Sequence, residues 1–275
     1  MKQVITHIVL FALLIAPSGA QNSAADDDVL WREFITWWRV QDRSVDDPRP
    51  GYCALKKLPA EECERWFESL KRVSRQHTEE ANAVLFDKIY RNEKPTFKTT
   101  PTVLLTKVID GLPPGKALDI HMGQGRNAVY LASKGWTVVG FDASPEAIRR
   151  ARSEAAIARV AIDARESGHA NFDFGSQQWD LIVLAYPWLP LDDDALVGRI
   201  INSLKPNGRL VFEHYIRSSC SNAEKGEHVP CPNQLLDRFR GLRVVYYEEK
   251  IDLPDWASKP QELVRFVGQR APKPR

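Results

Sequence analysis

The sequence predicts an α/β fold built on a doubly wound, mostly parallel sheet, and three observations carry that prediction. Residues 116–122 (Lys-Ala-Leu-Asp-Ile-His-Met) form a short apolar-rich run of the kind that becomes a strand buried on both faces. Gly123-Gln124-Gly125 follows at once, and the missing Cβ atoms permit a tight turn and a close approach of backbone to a ligand. A helical pattern over 126–134, a stop at Gly135 and a second apolar run over 136–141 complete a strand–turn–helix–strand unit that ends at Asp142. Ala128, Val129 and Ala132 are expected on the inward side of that helix. Ligands of open α/β sheets bind at the carboxyl ends of the strands, so the glycine turn and Asp142 should face one crevice.

The chain before this unit is of a different kind. Residues 1–20 read as a secretory signal: Lys2, an apolar run over 4–16, then small residues at Ser18 and Ala20 ahead of Gln21. The run is shorter than the roughly 20 residues that span a bilayer. Export is the expectation, with an uncleaved anchor or a mis-set start, and then a cytoplasmic protein, as the competing readings. Residues 29–40 place Leu30, Trp31, Phe34, Ile35, Trp37 and Trp38 at helical spacing. Such a stripe either lies on a membrane or packs against its own protein, and the second reading is preferred. Residues 46–51 (Asp-Asp-Pro-Arg-Pro-Gly) read as a break, followed by helices over 60–75 and 79–91. Residues 21–94 thus form a helical appendage to a sheet domain over 95–275.

Composition bounds the partners. With 275 residues, 43% apolar, there is room for one sizeable domain and an appendage, and a net charge of +2 argues against a nucleic-acid footprint. Four cysteines allow three pairings, of which Cys53 with Cys63 and Cys220 with Cys231 close the smallest loops. Disulfides there agree with an oxidising compartment, the alternative being unpaired thiols. Neither pair has metal-ligand spacing and no histidines converge with them, so no metal is expected.

Beyond Asp142 the pattern continues. Ser144-Pro145-Glu146 opens a helix with a capping hydroxyl, a proline at the first turn and an acid near the positive end. Ala147, Ile148, Ala151 and Ala155 supply its buried stripe. A third strand is expected near 160–165 and a fourth over 180–185, with Tyr186-Pro187-Trp188 at its carboxyl edge. A helix over 193–204, a strand ending near Glu213, a helix over 233–240 and antiparallel strands over 243–251 and 263–269 complete the chain.

Two ligands suit the crevice. Gly123-x-Gly125-x-x-Ala128 satisfies the dinucleotide fingerprint, with Asp142 downstream to hold ribose hydroxyls. Asp119, however, lies inside the first strand, where dinucleotide enzymes carry apolar residues. With Asp119 included, the run from Gly123 to Ser144 resembles motif I of the class I S-adenosylmethionine-dependent methyltransferases, and looks most like their small-molecule and tellurite-resistance-type branch. The resemblance covers residues 95–275. It implies a Rossmann-like seven-stranded sheet with the last strand antiparallel, under an N-terminal helical cap in which residues 86–90 and 95–97 close over the ligand. It also implies S-adenosylmethionine as cofactor, a small-molecule methyl acceptor, and cofactor contacts at Asp119, His121, Gly123, Gly125, Asn127, Asp142, Ala143 and Ala185. His121 departs from the family, which has its first glycine there; the imidazole either narrows the methionine end of the pocket or turns sideways into the sheet. Asp163, Glu166, His169 and the backbone near Ala170 compete for the adenine. Methyl transfer needs alignment more than a triad. If the acceptor must lose a proton, Tyr186 or His214 is placed to take it, each having a structural alternative in packing or loop hydrogen bonding. A nicotinamide-dependent oxidoreductase and a non-catalytic exported nucleoside-binding protein are the alternatives.

Overall fold

The computed structural model describes residues 24–41, 48–91, 97–217, 220, 228–254 and 259–272. The segment read as a secretory signal lies outside these residues, as do Asp46, Asp47, Pro95 and Thr96. The chain divides into two compact units between Asn92 and Glu93.

The first unit is helical: α1 (Ala24–Arg39), α2 (Arg49–Lys56), α3 (Ala60–Ser74) and α4 (Thr78–Arg91). The aromatic stripe expected over 29–40 lies on α1, where Trp31, Phe34, Ile35 and Trp38 are buried with Tyr52, Phe67, Leu70 and Val73. Phe34 meets Tyr52 and Phe67 edge-on, at centroid separations of 5.7 and 6.1 Å, a geometry that suits ring quadrupoles. The stripe is therefore the core of its own unit. Where the sequence reads as a break, the structure has α2. Pro50 sits in its first turn, where no N–H is needed. A Cys53–Cys63 disulfide ties α2 to α3.

The second unit contains α5 (Val103–Ile109), β1 (Lys116–Ile120), α6 (Arg126–Ser133), β2 (Thr137–Asp142), α7 (Pro145–Ile157), β3 (Asp163–Glu166), β4 (Trp179–Ala185), α8 (Asp194–Ser203), β5 (Leu204–Tyr215), α9 (Gln234–Arg238), β6 (Arg243–Asp252) and β7 (Gln261–Gln269). Its strands form one seven-stranded sheet in the order β3-β2-β1-β4-β5-β7-β6. The first five run parallel; β7 is antiparallel to both its neighbours. The chain winds outward from β1 to β3 and then returns to place β4 on the other side of β1. Open α/β sheets bind their ligands at such a reversal, which here falls at the carboxyl ends of β1 and β4.

Each face of the sheet buries its own core. Leu118, Ile120, Phe141 and Phe212 pack under Leu196, Val197 and Ile200 of α8 and Leu235 of α9. On the opposite face Ala117, Val138 and Val183 meet Leu104 and Leu105 of α5, Leu131 of α6 and Ile148 of α7. The inward side of α6 differs from expectation: Asn127, Ala128 and Leu131 are buried, whereas Val129 and Ala132 are only half-buried. Ser144 caps α7 as expected, its Oγ accepting the Ala147 N–H at 3.1 Å, and all four residues of the predicted stripe are buried. Cys220 and Cys231 are bonded. No helix among the described residues is long and apolar enough to cross a membrane.

Candidate functional site

The residues expected to form the site converge on the carboxyl edge of the sheet. Asp119 is the penultimate residue of β1 and is 1% exposed. Its Oδ2 is buried without a hydrogen-bond partner among the described residues. Burial pushes this carboxyl up to about 7, against the opposing pull of the Arg126 guanidinium and the Ala128 N–H. Asp142 ends the adjacent β2. Its Oδ2 accepts the Gly123 N–H and its Oδ1 the Ser144 N–H, both at 2.9 Å. One carboxylate thus locks the glycine turn to the start of α7, and Gly123 and Gly125 both adopt the left-handed φ that their position demands.

His121 also has a left-handed backbone, with φ 53°. Its Nδ1 accepts the Trp188 N–H at 3.1 Å, and its Nε2 lies 3.2 Å from Nδ1 of His169. Because Nδ1 accepts, the proton of the neutral ring sits on Nε2 and is donated to His169. The imidazole therefore bridges the end of β1 to the loops that follow β3 and β4. Of the other expected contacts, Asn127 is buried and its Oδ1 accepts the Thr102 N–H at 3.0 Å, which ties α6 to the start of α5. Ala143 and Ala185 are half-buried just past the end of β2 and at the end of β4. Among the adenine candidates, Asp163 is bound by Arg165 at 2.6 Å, Glu166 and Ala170 are exposed, and His169 is buried against His121.

A second group lies where β4 and β5 end. Tyr186 has φ 55°, an uncommon conformation for a bulky residue. It is held there twice by Glu213, whose carbonyl accepts the Tyr186 N–H at 2.7 Å and whose Oε1 accepts the hydroxyl at 2.9 Å. Glu213 is 2% exposed, and its Oε2 lies 3.5 Å from Nε of Arg265. His214, next along β5, alternates to the other face. It is buried, with Nδ1 at 3.1 Å from the Tyr215 carbonyl, and burial drives its pKa down to about 4. Its ring lies 5.9 Å from that of Tyr186.

Sequence reasoning missed three participants. Glu213 was legible only as an acid ending an apolar strand. Gln124, between the two glycines, donates to the carbonyls of Phe97 and Lys98 at 3.2 Å each. His228 lies in the polar stretch between two cysteines, 5.3 Å from the Trp188 ring. Its ring is buried, and burial lowers its pKa to about 4 against the opposing backbone bond at Leu189.

Comparison with known proteins gives the same picture. A family described as a methyltransferase domain matches residues 117–208, from β1 into β5. Among curated proteins, an uncharacterized methyltransferase of Synechocystis sp. is 34% identical over 99 residues, covering 35% of this chain and 45% of that protein. A protein named Hemagglutinin 1 of Eikenella corrodens is 26% identical over 184 residues, covering 64% and 60% of the two chains. The chain thus spans about half the length of these relatives. Among solved structures, the N-methyltransferase NodS from Bradyrhizobium japonicum in complex with S-adenosyl-L-homocysteine superposes with a TM-score of 0.53 at 20% identity, over 67% of this chain and 96% of that one. From its strand order, its glycine turn and these likenesses, the chain has the fold of the class I S-adenosylmethionine-dependent methyltransferase superfamily.

Proposed function

We propose that this protein transfers a methyl group from S-adenosylmethionine to a small-molecule acceptor. The observation that carries the proposal is the unpartnered oxygen of Asp119, buried beside a glycine turn at the switch point of the sheet. A buried carboxylate without a partner is costly, and a bound ammonium group relieves that cost. The cofactor supplies a methyl group activated by a sulfonium centre. Asp119 is assigned to the ammonium of its methionine end. Asp142, at the carboxyl end of β2 and bonded to the glycine turn and the start of α7, is assigned to accept the ribose hydroxyls with charge-assisted strength. Gly123 and Gly125 let the backbone approach. Tyr186 is assigned to take the acceptor proton while its own passes to Glu213. His214, kept neutral by burial, is the other candidate base. The small-molecule, tellurite-resistance-type branch is part of this proposal and rests on the run from Gly123 to Ser144. Export is likewise proposed, supported by the two disulfides.

The nicotinamide reading loses ground to the sheet, because dinucleotide folds of this type order their strands 3-2-1-4-5-6 and lack the inserted antiparallel β7. Titration calorimetry with S-adenosylmethionine, S-adenosylhomocysteine and NAD tests the choice. The first two should bind and NAD should not, and Asp142→Ala should weaken binding at least about tenfold, with a lowered melting temperature from the two lost backbone bonds. Undiminished affinity in that variant, or binding of NAD alone, would overturn the assignment.

A further inference from the structure

We propose that β6 is a homodimer interface, pairing antiparallel with β6 of a second copy across a two-fold axis. The two edges of the sheet are unequal. β3 offers four residues, whereas β6 offers ten and has β7 as its single strand partner among the described residues. A long edge presents a row of unpaired backbone donors and acceptors, and proteins that remain monomeric blunt such edges. The two ends of this one are instead apolar, on either side of a charged centre at Glu248, Glu249 and Lys250. Val244, Val245, Tyr246, Ile251 and Leu253 make up half of the ten large apolar side chains left exposed among the described residues, with Ile251 at 69%. They fall within a stretch of ten positions, too concentrated for scattered surface residues.

The pattern along β6 selects its own copy as the partner. Its pairing with β7 is interrupted by a bulge between Val244 and Tyr246, so the regular part of the strand runs from residue 246 to 252 and is centred on Glu249. Complete overlap with an antiparallel copy therefore places Glu249 on the two-fold axis. Glu248 then stands opposite Lys250 of the second copy, and Lys250 opposite its Glu248. On the same face Tyr246 reaches Asp252, and on the other face Tyr247 stands opposite Ile251. Glu248, Lys250 and Asp252 all line one groove of about 580 Å³ between β6 and α5, which confirms that they share a face. A shift by two residues sets Glu248 against Glu248 or Lys250 against Lys250. A shift by one turns every side chain to the wrong face. The single like pair in the favoured register, at Glu249, is moderated because that carboxylate accepts the Asn233 N–H at 2.6 Å and the Tyr247 hydroxyl. An interface that is its own complement is the condition for a closed two-fold dimer.

Sedimentation velocity on the full, oxidised chain from about 1 to about 100 µM tests the proposal. The wild type should sediment as a dimer. Lys250→Glu, which faces Glu248 of the copy, should raise the dissociation constant at least about tenfold. Glu249→Cys should form an interchain disulfide under mild oxidant, because directly opposed residues of antiparallel strands lie about 4.5–5.5 Å apart at Cα. Ile251→Asp, at an exposed position, keeps the fold and should also favour the monomer. A wild type that stays monomeric throughout, or a dimer indifferent to Lys250→Glu and not cross-linked at residue 249, overturns the proposal.

Discussion

Burial sets the chemistry of Asp119, and it does so in a direction that can be measured. Its pKa is about 7 when folded, against an ordinary value of 3.8. Between those values the folded chain holds a proton that the unfolded chain has lost. Stability is therefore given up progressively as pH rises from about 4 to about 7, and above 7 the full cost of a buried carboxylate is present. Asp119→Asn removes that cost. Thermal unfolding should show the variant more stable than wild type by a few kcal/mol at pH 8 and little different at pH 4. The same carboxylate must be ionised to hold an ammonium group. Affinity for S-adenosylmethionine should accordingly fall about tenfold per pH unit below 7 in wild type, and lose that dependence in the variant. Calorimetry across pH 5.5–8 reads both slopes. At this scale the sequence is legible where local backbone decides the outcome. Asp119, Gly123, Gly125 and Asp142 are fixed by a strand, a turn and a strand contiguous in the chain. The bonds from Tyr186 to Glu213 and from Trp188 to His121 are not legible, because they depend on which strands lie side by side.

Caps and buried stripes make the elements legible wherever those signals are strong. The Ser144 hydroxyl that begins α7 should be worth about 1 kcal/mol, measurable as the loss in urea unfolding of Ser144→Ala. Gly125 is a harder constraint. Its φ is 82°, and a Cβ there would lie 2.9 Å from Cβ of Ala151, where α6 passes α7. Gly125→Ala combines left-handed strain with overpacking, so urea unfolding should show a loss of about 2 kcal/mol or more. The misreadings have physical causes as well. Proline and glycine over 48–51 look like breakers, yet at the first turn of a helix the proline has no N–H to waste. β3 carries little apolar pattern, since a short edge strand buries only Ala164.

At the scale of the whole molecule, acid should be the weak flank. His214 and His228 each have a folded pKa of about 4 because burial disfavours their charged forms, against 6.5 when unfolded. The unfolded chain therefore takes up protons first as pH falls. The stability these residues carry is complete above about 6.5 and lost by about 4, amounting to roughly 3 kcal/mol for each. Denaturant midpoints at pH 7.5 and 4.5 should show the loss, and His228→Phe should lessen it. The division into two units gives a second expectation. Cys53 and Cys63 lie in the first unit, Cys220 and Cys231 in the second, and each bond closes a short loop worth about 2–3 kcal/mol. Replacing Cys53 and Cys63 with alanine should lower one calorimetric transition while leaving the other in place.

The bond from Trp188 to His121 joins positions 67 residues apart. A nascent chain leaving the ribosome already carries both aspartates and the two glycines long before tryptophan 188 has been synthesised. Until β4 slots in beside β1, one side of the glycine turn is missing and the imidazole lacks its bond from Trp188. A translated fragment ending before residue 179 would therefore display the complete glycine motif and bind no nucleoside.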